Sequence, residues 1–103
     1  MDSIPKKFKL FGTTVNVVFD NKRMDEESTI GLSEWKKSLI TLCNKSNGEE
    51  INEDVIIDTY YHEKVHTILD SMGEVKLSGN EKFVEVFSKL LRQSDNTAEF
   101  YQR

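Results

Sequence analysis

Asn52-Glu53-Asp54-Val55-Ile56-Ile57-Asp58-Thr59-Tyr60-Tyr61-His62-Glu63-Lys64-Val65-His66-Thr67-Ile68-Leu69-Asp70-Ser71-Met72-Gly73 is the stretch on which the fold turns. It opens on an asparagine followed by two acids and closes on a glycine. An asparagine side chain caps the free N–H groups of a first helical turn. Acids there suit the positive end of the helix dipole, and glycine readily adopts the left-handed backbone that ends a helix. The spacing predicts a helix from about Asn52 to Met72, with Val55, Tyr61, Val65, Ile68, Leu69 and Met72 as its apolar stripe.

Upstream of that helix the hydrophobic period is different. Residues 8–19 are rich in β-branched and aromatic side chains that partly alternate, so they read as a strand or hairpin with Gly12 at a bend. Asp20 to Ser28 reads as a charged, turn-rich connection. Thr29 to Ser33 and Ser38 to Leu42 read as two short strands joined around Glu34 to Lys37, with Trp35 as a lid on the sheet. Asn44 to Glu50, with Asn-Gly at 47–48, reads as a loop. Downstream, Glu74 to Ser78 must reverse the chain. A second helix is predicted from about Gly79 to Gln93, with Phe83, Val84, Val86, Phe87, Leu90 and Leu91 on a broad apolar face. The two helices then form a hairpin, followed by a polar tail from Ser94 to Arg103. The expected fold is α+β in a single domain spanning 1–103: a small N-terminal sheet of about three strands, then two helices.

Composition narrows the function classes. A chain of 103 residues holds one small core. Its net charge of −4, with scattered lysines and arginines, offers no basic stripe for nucleic acid. No apolar run approaches the roughly 20 residues of a membrane span. Met1 to Lys7 is followed by no apolar segment of the signal-peptide kind. Cys43 is the one cysteine, so no internal disulfide forms; a reducing cytoplasm is expected, with Cys43 as a small buried hydrophobe. Oligomeric state is not legible from the residues.

The chain has only two histidines, His62 and His66, four apart within the predicted helix. At that spacing two imidazoles project from one face and can converge on a metal ion. Glu63 sits about 100° round the helix, beside the metal without binding it, where it can take a proton from water. This H-E-x-x-H arrangement is the signature of zinc-dependent peptidases. Catalytic zinc usually keeps three protein ligands and leaves one position open. Glu81 and Glu85, four apart on one face of the second helix, are the candidates for the third.

Asn80-Glu81-Lys82-Phe83-Val84-Glu85 resembles the N-E-x-x-[SA]-[DE] pattern of the glutamate helix in gluzincin metallopeptidases. The order of elements is similar to that of the minigluzincins and of small peptidases from phage and mobile elements. The resemblance implies Zn²⁺ as cofactor, His62, His66 and Glu81 as ligands, Glu85 as the acid bonded to a ligand histidine, and Glu63 as the catalytic base. It implies hydrolysis of peptide bonds in a peptide or protein substrate bound in extended form. Ser38 to Leu42 is the sheet edge expected to pair with that peptide. The family also implies a latent form in which a terminal segment, here Ser94 to Arg103, occupies the cleft. Lys64 falls on the side of the helix away from the metal and is expected to face solvent.

Blander readings stand beside these. The histidines could be two surface residues of a charged helix. Ser78-Gly79-Asn80-Glu81 fits a capping box, with Ser78 as N-cap and Glu81 reaching back to it. Glu85 could be an exposed acid. Tyr60, Tyr61 and Tyr101 could each donate to an oxyanion or serve as core or rim aromatics. Two other function classes follow: a catalytically inactive metal-binding or protein-interaction module with a peptidase-like fold, and a metal-free helical interaction protein.

Overall fold

The computed structural model describes residues 4–102; Met1–Ser3, and Arg103 at the end of the expected tail, lie outside the described residues. Strands β1 (Lys7–Leu10) and β2 (Thr13–Phe19) form an antiparallel hairpin across Phe11 and Gly12. Both turn residues have positive φ, 50° and 76°. That is the two-residue turn whose twist matches paired strands. Helix α1 (Asn21–Glu26) follows, where the sequence predicted a turn-rich connection. The Asp20 side chain explains the difference: it accepts from the Arg23 N–H at 3.0 Å and caps the helix. Next come β3 (Gly31–Glu34), a 3₁₀ turn at Trp35–Lys37, and β4 (Leu39–Leu42). The predicted loop at 44–50 is a short hairpin, β5 (Lys45–Ser46) and β6 (Glu49–Glu50), turning on Asn47 and Gly48 with φ of 50° and 83°. Three helices complete the chain: α2 (Glu53–Ser71), α3 (Val75–Ser78) and α4 (Glu81–Thr97).

The main sheet is mixed and has four strands in the order β1-β2-β4-β3. The expectation of about three fell short because residues 8–19, read as a strand or a hairpin, form the hairpin and so contribute two strands. Strands β2 and β4 run parallel, with Val17 beside Ile40, and the other pairs are antiparallel. This topology corrects one expectation directly. Of residues 38–42, Leu39–Leu42 form the inner strand β4, paired on both sides, so the segment is not an open edge. The edge on that side is β3.

Helix α2 lies between two layers. Its Ile57, Tyr60 and Tyr61 pack on Val15, Val17, Ile40 and Leu42 of the sheet, with Trp35, Phe8 and Leu10 partly buried around them. Farther along, Val65 and Leu69 pack against Val84 of α4, with Leu77, Phe83 and Leu91 at the margin. Asn52 caps α2, accepting from Asp54 N–H at 2.8 Å, and Gly73 stops it at φ 78°. The predicted stripe was displaced: Ile56, Ile57 and Tyr60, left out of it, are buried, whereas Val55 and Met72 are exposed, as are Val86, Phe87 and Leu90 of α4. Helix α4 touches α2 and α3 on one side only, so only a narrow strip of its apolar face is covered.

Helix α4 also continues to Thr97, past the predicted end at Gln93. Two ties to α2 accompany the extra turn. Arg92 reaches Asp54 at 2.8 Å and Asp58 at 2.7 Å, and the Tyr61 hydroxyl donates to Asp95 at 2.8 Å. Residues 98–102 carry no regular secondary structure, Phe100 and Tyr101 are exposed, and none of these residues lines the cleft described below. No helix among the described residues is long and apolar enough to cross a membrane.

Candidate metal centre

His62 and His66 lie one turn apart on the α2 face that meets α4. Their Nε2 atoms are 3.2 Å apart. The first turn of α4 brings Glu81 over them, with Oε2 at 3.4 Å from His62 Nε2 and Oε1 at 3.6 Å from His66 Nε2. A cation held tetrahedrally by nitrogen and oxygen donors at about 2.0–2.2 Å needs its donors about 3.3–3.6 Å apart. The two imidazole nitrogens lie near that spacing, and Glu81 approaches each of them with a different oxygen. One ligand atom from each of the three lies within 4.8 Å of the others, a group that could hold one ion.

The second nitrogen of each ring also has a partner. Glu85 Oε2 lies 3.3 Å from His62 Nδ1. The Lys89 ammonium, 2.9 Å from the other Glu85 oxygen, holds that carboxyl below the usual carboxylate range. Ser78 Oγ lies 3.0 Å from His66 Nδ1 and is almost fully buried. Ser78 is not the α4 cap. That place belongs to Asn80, whose side chain accepts from Phe83 N–H at 3.1 Å, so the capping-box reading of Ser78 and Glu81 fails. The sequence held no signal for the Ser78 contact, which exists because α3 folds the chain back before α4 begins.

Glu63 faces the sheet edge. A Cβ built on Gly31 of β3 would collide with Thr59 Cγ2 and meet Glu63 Cγ at 3.3 Å. Glycine at this position is what lets α2 lie against the edge strand. Burial pushes the Glu63 carboxyl above the usual value, with His62, His66 and the Ser33 side chain pulling the other way. A cleft of about 330 Å³ opens beside it, bounded by Ile30 and Gly31, by Val55, Thr59 and His62 of α2, and by Glu85 of α4.

The other residues singled out in the sequence are engaged elsewhere. Tyr60 is in the core, and Tyr61 is bonded to Asp95, its hydroxyl pushed up to about 12 by burial and by that acid. Tyr101 is on the exposed tail. Lys64 does not simply face solvent: its Nζ stands over the rings of Phe8, Tyr60 and Tyr61 at 5.4, 5.8 and 5.9 Å. Cys43 is buried, its thiol raised by burial, with Sγ donating to the Ile30 carbonyl at 3.5 Å. Comparison with known proteins finds no matching protein family, no matching curated protein and no matching solved structure.

Proposed function

We propose that this chain is a small zinc-dependent peptidase of the gluzincin type, hydrolysing peptide bonds. The observation that carries this reading is the convergence of His62 Nε2, His66 Nε2 and the Glu81 carboxylate at 3.2–3.6 Å, with Glu63 next to them. Zn²⁺ suits two imidazoles and a carboxylate, and when bound it supplies Lewis acidity toward a substrate carbonyl and acidifies water. Glu63 then acts as the base. It accepts the proton of the attacking water on its carboxylate and passes that proton to the leaving amine. Glu85 holds the His62 ring by accepting from Nδ1–H, which keeps Nε2 free as a donor. The free edge of β3 is the segment that would pair with an extended peptide, in place of residues 38–42, and the cleft beside Val55 and Ile30 would receive a side chain. A reducing cytoplasm is in keeping with the buried Cys43 thiol.

A second reading is a metal-clamped interaction module without turnover. It is favoured by the apolar face of α4, where Val86, Phe87 and Leu90 are exposed. One set of measurements separates the two. Elemental analysis of the purified chain is expected to give one zinc, lost in His62→Ala and Glu81→Ala. Glu63→Gln is expected to keep the zinc and to lose hydrolysis of an unfolded protein substrate. Zinc without hydrolysis in the wild type would favour the module. No zinc, even after it is offered, would sink both.

A further inference from the structure

Helix α4 divides its apolar residues between two strips. Val84 and Leu91 pack with α2, whereas Val86, Phe87 and Leu90 stay about half exposed beside the half-buried Phe83. Phe83, Val86, Phe87 and Leu90 stand at i, i+3, i+4 and i+7, the spacing of a seam between paired helices. The Phe83 and Phe87 rings stack with centroids 5.5 Å apart, so the strip is continuous from one turn to the next. Ser94 and Thr97 extend the same face without a charge. Leu90 lies about 180° round the helix from Glu81, so an occupant of this strip leaves the candidate metal ligands free. Two more groups of apolar side chains stand in water. Phe100 and Tyr101 are almost wholly exposed beyond the end of α4, and Met72 and Val75 are exposed at the reversal between α2 and α4.

The chain's own tail cannot cover this strip. Phe100 is three residues past Thr97, a reach of about 10 Å, whereas Phe87 lies about 15 Å back along the helix. We infer that the strip is the seam of a homodimer, α4 against α4 of a second copy, antiparallel about a two-fold axis between Val86 and Phe87. That axis sets Phe83 of one copy level with Leu90 of the other. It also carries Phe100 and Tyr101 of each copy past the start of the other's α4, to the level of the reversal that holds Met72 and Val75. A parallel pair would set the polar second halves of α4 against each other and leave these exposed ends bare. Area decides that the ends take part. The helix strip alone offers about 300 Å² per copy, and a pair of such strips is no larger than a fortuitous contact. Phe100 and Tyr101 add about 200 Å² each, and Met72 with Val75 about 200 Å² together, which raises the total for two copies to roughly 1,800 Å². That is the size of a specific interface. Ordering the irregular tail offsets part of the gain, so the expected dissociation constant is about 10–100 μM, and dilute chain is monomeric.

The test is sedimentation equilibrium of the full chain from about 1 μM to about 1 mM, a range that brackets this constant. A monomer–dimer equilibrium without larger species is expected, because a two-fold contact closes on itself. Leu90→Lys is expected to weaken association at least about tenfold, and Phe100→Ala combined with Tyr101→Ala to do the same. Both variants should keep the wild-type melting temperature in dilute solution. Direction is read by placing a spin label on Asn96→Cys, Cys43 being buried, and mixing that copy with isotope-labelled wild type. The label is expected to broaden the methyl signals of Met72 and Val75 in the unlabelled copy. A monomer at every concentration would overturn the inference, as would a dimer that survives Leu90→Lys. Broadening confined to the other copy's residues around Thr97 would also overturn it, since that is the parallel arrangement. The metal reading is independent of all these outcomes.

Discussion

At Gly31 the absence of a side chain sets the distance between α2 and the edge of the sheet. Gly31→Ala places a methyl against Thr59 Cγ2 and close to Glu63. Overpacking of this kind costs about 1–3 kcal/mol. The expected outcome is a lower melting temperature, with much of the loss recovered in Gly31→Ala combined with Thr59→Ser, which removes the colliding methyl. Equal stability of the single and double variants would place the strain elsewhere. Lys64 shows a different residue-scale effect. Its charge lies over three aromatic rings that also line the sheet-side core, so its stem and ammonium cover apolar surface. Helical periodicity gave the direction of this side chain but not its destination, because Phe8 comes from a strand far away in sequence.

At the scale of elements, α4 is held to α2 by a strip of contacts and by polar ties at its far end. Arg92→Ala removes charge-assisted bonds to Asp54 and Asp58, both substantially exposed. It should cost about 1 kcal/mol, read by denaturant unfolding. Leu90→Lys tests the other face. Leu90 is 60 % exposed, so the change should stay within about 0.5 kcal/mol, where a core leucine would cost several. The sequence located α2 closely because its caps, Asn52 and Gly73, are local signals. It brought His62 and His66 to one face too, since i,i+4 spacing on one helix is a geometric statement, whereas Glu81 was expected from the resemblance of its helix, with Glu85 as the alternative. It misplaced the edge of the sheet, because strand order depends on which strands pair at long range and a strand's own residues do not encode that. Its alternative reading of Ser78 as a helix cap failed for the same reason: the contact with His66 depends on how α3 folds back.

For the whole molecule, an ion shared by α2 and α4 would join the two helices. Ligand that binds only the folded state adds about 2.7 kcal/mol at a free concentration of 100 Kd, roughly 10 °C or more in a domain of this size. Chelation with a strong competing ligand is therefore expected to lower the melting temperature by that order in the wild type, and to leave Glu81→Ala unchanged. The residues of this centre, from His62 to Glu85, all come from the helical half of the chain, on α2 and α4. The surroundings of Glu63 do not: Gly31 and Ser33 come from the β-half of the chain. On the proposed reading, the ligands and the base Glu63 belong to the helical half, while part of the wall around Glu63 is supplied by the β-half. Drift in the β-half could silence the chemistry while leaving the ion in place, and a descendant of this chain could become a purely structural metalloprotein without losing a single ligand.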